Sequence, residues 1–256
     1  MESATILTAV TKGAIAGIAK GLVATLGRFV RTPQPNNEAT VTPRLEQSLS
    51  AVLSWSESVQ FWGLPALDTD TSSVALNITA TPRRFATRSR EIDWNEDKIL
   101  STPRHLLLLG DPGAGKSTTL KRLCRKLLLE GPTNVDDRLQ FPIVIRLRRA
   151  TLDQSLHQWL ASSLGLTWRT PDPKKNDDSL EDSRFLIGER ELSEVVVEAL
   201  EDARPLVCID GMDEVPTGRR ERLELELADL AGRLRKARLI ISTRSGDYVR
   251  GIEGLD

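Results

Sequence analysis

The chain has 256 residues, 39% of them hydrophobic, enough to bury a sizeable core in one or two domains of about 100–200 residues each. Lys and Arg number 35 against 36 Asp and Glu, a balance that argues against a chain built to coat nucleic acid or an acidic membrane. The two cysteines, Cys124 and Cys208, supply no disulfide framework and fit a reducing, cytoplasmic setting, and no Cys/His cluster has metal-ligand spacing.

The start, Met1-Glu2-Ser3, lacks the basic opening of a secretory signal. Residues 4–30 are predicted to be helical, with Ile15, Ile18, Leu22, Leu26 and Phe29 at helical spacing. Lys12, Lys20 and Arg28 interrupt the segment, so it falls short of the roughly 20 apolar residues of a membrane span. Gly13, Gly17 and Gly21 form a small-residue ridge suited to close helix contacts. Intramolecular packing is the default reading, with self-association and triggered membrane insertion of residues 1–30 as its competitors. Residues 31–43 are polar and proline-containing and read as a linker, which closes an N-terminal unit of residues 1–43.

Residues 44–92 read as an accessory region. A helix is predicted from Arg44 to about Phe61, carrying Leu45, Leu49, Val52, Leu53 and Val59. Residues 63–72 read as loop, Val74–Thr79 as a short strand, and Pro82–Arg90 as a basic irregular stretch. Trp55, Phe61, Trp62, Phe85 and Trp94 point to packing in a core or interface rather than to base stacking.

From residue 93 to 256 the pattern is α/β. Strands are predicted at His105–Leu109, Phe141–Leu147, Pro205–Ile209 and Arg238–Ser242. Helices are predicted at 117–130, about 153–164, about 189–202 and 219–236, the last with an apolar stripe of Leu223, Leu227, Leu230 and Leu234 and a charged face read as solvated. Strands alternating with helices imply a parallel sheet covered on both faces, a three-layer αβα arrangement. The polar run Pro171–Ser183 reads as a solvated loop.

Gly110-Asp111-Pro112-Gly113-Ala114-Gly115-Lys116-Ser117 fits the G-x-x-x-x-G-K-[ST] pattern, and Thr118 follows it. It lies between an apolar strand and a helix, the context that makes the pattern a phosphate-binding loop. Gly113 and Gly115 leave room for phosphate oxygens to reach backbone N–H groups, and the helix N-terminus adds donors and a favourable dipole. Lys116 is the cation for the β- and γ-phosphates, and the Ser117 hydroxyl is a ligand for Mg²⁺.

Leu206-Val207-Cys208-Ile209-Asp210 is an apolar strand ending in an acid, the Walker B form, with Asp210 expected at Mg²⁺. Gly211 permits a tight turn, and Asp213 and Glu214 follow. Glu214 is the expected general base toward water, with Asp213 as helper or in the outer sphere of Mg²⁺. Leu239–Arg244 is a third strand whose polar end places Thr243 and Arg244 toward a γ-phosphate.

Taken together, Gly110–Thr118, Asp210-Gly211-Met212-Asp213-Glu214 and Ser242-Thr243-Arg244 resemble a NACHT-type domain of the STAND branch of P-loop NTPases, relatives of AAA+ proteins. Phe141–Arg148 resembles the family's second strand, and the likeness spans about residues 93–250. It implies ATP/ADP and Mg²⁺ as cofactors, weak ATPase activity, and a switch in which nucleotide exchange permits oligomerisation and activates an N-terminal effector. Bacterial members, some of them antiviral defence proteins, are most similar. The family pattern continues into further helical and sensor domains, so a truncated chain or a separate sensor or C-terminal partner is expected. The alternatives are an AAA+-like motor, a P-loop kinase, or a module that holds nucleotide without turnover. A GTPase is disfavoured because no Asn-Lys-x-Asp motif occurs.

Overall fold

In the computed structural model the described residues are 17, 36–59, 66–69, 95–130, 139–149, 153–166, 189–246, 252 and 255. The N-terminal helix pattern apart from Gly17, the strand predicted at Val74–Thr79, the basic stretch Pro82–Arg90 and the loop Pro171–Ser183 lie outside them.

Helix α1 (Asn36–Glu57) precedes a two-residue antiparallel ladder, β1 (Ser58–Val59) with β2 (Leu67–Asp68). Then come α2 (Glu96–Ser101), β3 (Leu106–Leu109), α3 (Lys116–Glu130), β4 (Pro142–Arg146), α4 (Leu156–Ser163), α5 (Glu189–Ala203), β5 (Leu206–Asp210), α6 (Thr217–Arg233) and β6 (Arg238–Thr243). Short 3₁₀ turns follow β4 (Leu147–Arg149) and β5 (Met212–Glu214).

Strands β3 to β6 form one parallel sheet in the order β3-β6-β5-β4. The chain steps from β3 across to β4, then back through β5 to β6. Right-handed crossovers therefore deliver α3 to one face and α4, α5 and α6 to the other. This is the α/β three-layer fold expected from the sequence. The two central strands are the most buried: Leu206 to Ile209 and Arg238 to Thr243 are all covered. Fully covered parallel strands read as continuous apolar runs, which is why these were legible.

The helices dock through apolar stripes, that of α6 as predicted. Leu120, Leu123, Leu127 and Leu128 of α3 are buried, as are Leu223, Leu227 and Leu230 of α6 and Leu234 at its C-cap. Each such leucine contributes about 1.5–3 kcal/mol by leaving water. Cys124 and Cys208 are both buried and free, their sulfurs 3.7 Å apart between α3 and β5. They fill the core as small apolar groups.

Three elements differ from the sequence expectation. Helix α1 begins at Asn36, inside the predicted linker, and continues through Pro43 although proline removes one ladder hydrogen bond. It stops at Glu57 because Ser58 and Val59 pair with Asp68 and Leu67, so the predicted extension to Phe61 and the fully irregular 63–72 segment give way to a hairpin. The charged face of α6 is only partly solvated. Glu226 is tucked in, 14% exposed, where it pairs with Arg219 and Arg222 and accepts the Leu156 N–H at 2.8 Å, capping α4.

Helix α1 belongs to the main core, since Leu45, Leu49 and Val52 are buried in it and α1 packs on α3 and β4. Lys121 of α3 donates to the Ser58 carbonyl, and its ammonium lies 5.3 Å from the centre of the Trp55 ring. Salt bridges Arg122–Glu96 (2.6 Å) and Lys126–Asp97 (3.1 Å) hold α2 against the same helix. No helix among the described residues is long and apolar enough to cross a membrane.

Candidate nucleotide site

The four parallel strands end at one rim, where the predicted site residues converge. β3 delivers the loop Gly110–Gly115, β5 delivers Asp210, and β6, lying between them, delivers Ser242 and Thr243.

In the loop, Gly113 and Gly115 have φ of +82° and +84°, as the motif requires. The Ala114 N–H donates to the Asp111 carbonyl (3.0 Å), and the Thr119 N–H to the Gly115 carbonyl (2.8 Å), which starts α3. Lys116 Nζ donates to the carbonyls of Gly110 (2.6 Å) and Asp111 (3.0 Å), so the cation lies across the mouth of the loop. Asp111, Pro112, Gly113 and Ala114 are exposed, and Thr118 is half-buried in the first turn of α3. That turn directs unpaired N–H groups and the positive dipole end toward the loop.

Ser117 and Asp210 are far apart in sequence and meet in space. The Ser117 hydroxyl donates to Asp210 Oδ1 at 2.9 Å. The same carboxylate oxygen accepts from Ser242 Oγ at 2.7 Å, and Ser242 Oγ accepts the Gly211 N–H at 2.9 Å. Ser242 thus ties the end of β5 to β6. It was visible in the sequence only as part of a strand-end signature, because the partner is set by strand order rather than by spacing.

Gly211 has φ +86°, and an added Cβ would meet Glu214 Oε2 at 3.1 Å. Only glycine takes this left-handed turn without strain. The turn brings Asp213 and Glu214 back over the rim. Asp213 Oδ2 pairs with Arg244 Nε at 2.7 Å, while Arg220 of α6 donates to the carbonyls of Asp213 (3.0 Å) and Val215 (3.1 Å). Arg244, expected toward a phosphate, is therefore held by Asp213. Arg220 and its grip on this turn went unread in the sequence, since nothing in α6 distinguishes it from a solvated arginine.

Glu214 is exposed at the rim. Partial burial pushes its carboxyl above the usual range, and Asp213 and Asp210 add to this, while Arg148 and Arg244 oppose it. A carboxylate with raised basicity at this rim suits a general base.

The donor set fits a small hard cation. Ser117 Oγ and Asp210 Oδ1 already converge, and Mg²⁺ is commonly held by one or two protein oxygens completed by phosphate and water. Among the described residues no group of three or more His, Cys, Asp and Glu is arranged to hold a metal.

The family model for the NACHT domain matches residues 104–254, from just before β3 to beyond β6. No curated protein and no solved structure matches the chain.

Proposed function

The chain belongs to the NACHT family, and on that premise we propose that it is an ATP-binding, slowly hydrolysing signalling switch of the STAND type. The family makes it a P-loop nucleotide-binding protein. The switch, its oligomerisation and a role in bacterial antiviral defence rest on the resemblance of Gly110–Thr118, Asp210–Glu214 and Ser242–Arg244 to that family.

The observation that carries the reading is the meeting of Ser117 and Asp210 on one rim at 2.9 Å. Gly110 to Thr118 would cradle the phosphates, with Lys116 leaving its carbonyls for phosphate oxygens. Ser117 and Asp210 would hold Mg²⁺, which when bound would supply neutralisation of phosphate charge. Glu214 would accept a proton from water, and Arg244 would meet the terminal phosphate. The Lys121 contact with Trp55 and Ser58 supports coupling between the nucleotide helix and the accessory region, because it lies one turn beyond Ser117.

Isothermal calorimetry with ATP and ADP, with and without Mg²⁺, tests this. Wild type should bind both, with Mg²⁺ strengthening the triphosphate. Lys116→Ala should lose triphosphate binding, and unchanged affinity would contradict the loop assignment. Steady-state turnover below about 1 s⁻¹, the low end of ordinary enzyme rates, is expected of a switch, whereas motor-like turnover would favour an AAA+-like enzyme.

A further inference from the structure

Arg244 has two anionic destinations, and the fold fixes only one of them. Thr243 is in register with Leu109, so Arg244 and Gly110, the first residue of the phosphate loop, each directly follow the last pair of the ladder. Its guanidinium nonetheless bonds Asp213 at 2.7 Å. The two partners are unequal: the Asp213 side chain is 8% exposed and that of Arg244 is 50% exposed. Asp213 is also the anchored one. Its carbonyl is gripped by Arg220 from α6, and its turn is set by the left-handed Gly211. Arg244 leaves strand β6 at its last paired residue and is the group free to swing.

We propose that Asp213 is a specificity-determining residue that sets the preference between nucleoside diphosphate and triphosphate by competing with the terminal phosphate for Arg244. This rests on the nucleotide reading of the site and deepens it. A triphosphate extends one phosphoryl group further than a diphosphate and carries more charge, so it is the better competitor for the guanidinium. When Arg244 turns to that phosphate it leaves a mostly buried carboxylate without its cation, and a buried charge stripped of its partner is unfavourable. A diphosphate leaves the pair intact. Asp213 therefore weakens triphosphate binding while sparing diphosphate binding, and it biases the site toward the diphosphate form. The same step would reach α6, because Arg220 holds the turn that carries Asp213.

The test is the ratio of ATP to ADP affinity, measured by calorimetry on the full 256-residue chain with Mg²⁺ present. Asp213→Asn keeps the shape and removes the charge. It should raise the ratio by roughly twofold to fivefold, the range expected for a half-exposed ion pair, chiefly through tighter ATP. Arg244→Gln, a change at a half-exposed position that leaves the core untouched, should lower the ratio. In that background the added Asp213→Asn should have no further effect on it. A ratio unchanged by Asp213→Asn, or ATP binding weakened by it, overturns the competition. If Asp213→Asn does not fold, an unchanged ratio in Arg244→Gln alone does the same. Wild type binding neither nucleotide would instead refute the site itself, so the two failures are distinguishable.

Discussion

Ser242 on β6 donates a 2.7 Å hydrogen bond to Asp210 on β5, into the same oxygen that receives the Ser117 hydroxyl. A buried serine therefore aims the carboxylate at the end of the phosphate loop. Ser242→Ala removes that bond and strands the Gly211 N–H. Stability should fall by about 1–3 kcal/mol in urea denaturation. The Mg²⁺ concentration needed for half-maximal ATP binding should rise, because Asp210 loses one of its two positioning donors.

Glu214→Gln should leave ATP affinity within about twofold and slow hydrolysis by about 10²–10⁴-fold, the range of a lost general base. Single-turnover assays with labelled ATP check this. Asp213 is poorly placed to substitute, since its carboxylate is committed to Arg244. Retained turnover would transfer the role to Asp213 all the same.

Gly211→Ala places a Cβ in a left-handed turn and against the Glu214 carboxylate. The backbone cost alone is about 1–2 kcal/mol. Displacing Glu214 should also depress hydrolysis more than binding. A thermal-shift assay beside the turnover assay separates the two effects.

His105 links three elements at the base of the sheet. Its Nδ1 accepts the Leu239 N–H at 3.1 Å, and its Nε2 lies 3.1 Å from the Ala231 carbonyl, so the neutral ring with its proton on Nε2 satisfies both. Burial lowers its proton affinity, and the nearby charges of Arg238 and Arg235 add to that. The unfolded chain, with an ordinary histidine near pH 6.5, then binds the proton more readily than the folded one. The stabilisation is complete above about pH 6.5 and declines as the pH falls toward the lowered folded value. Burial lowers His157 in the same direction. Urea midpoints should fall between pH 7.5 and 5.5, and His105→Gln should flatten that slope.

Leu227 lies at the centre of the α6 stripe and is fully buried. Leu227→Ala should cost about 2–5 kcal/mol, whereas Leu225→Ala, at a position 73% exposed, should change little. Equal effects in chemical denaturation would mean that α6 is not docked as described.

Local pattern decided what the sequence could reveal. Leu206 to Asp210 and Leu239 to Thr243 are covered on both faces, so an unbroken apolar run identified them and their polar ends located the rim. The phosphate loop was equally plain, since its glycines, Lys116 and Ser117 are contiguous. Relations made by folding were hidden. The Ser242–Asp210 bond depends on β6 lying beside β5, and the Arg220 contact depends on where α6 starts. The start of α1 was misjudged because Pro43 and its polar neighbours carry turn propensity, while burial of Leu45, Leu49 and Val52 draws this helix onto the domain. The Arg244–Asp213 pair was missed for a related reason: a strand-end arginine shows its charge in sequence but not which of two nearby acceptors it takes.

Strand β6 is interposed between the strand that carries the phosphate loop and the strand that carries Asp210. The two halves of the pocket share no ladder of their own; the Ser117–Asp210 bond joins them directly, and both pair with this middle strand. Ser242 faces one half, Thr243 is in register with the other, and Arg244 completes the trio. Three consecutive residues thus work as a keystone, since a shift of either half would strain a ladder that β6 shares with it.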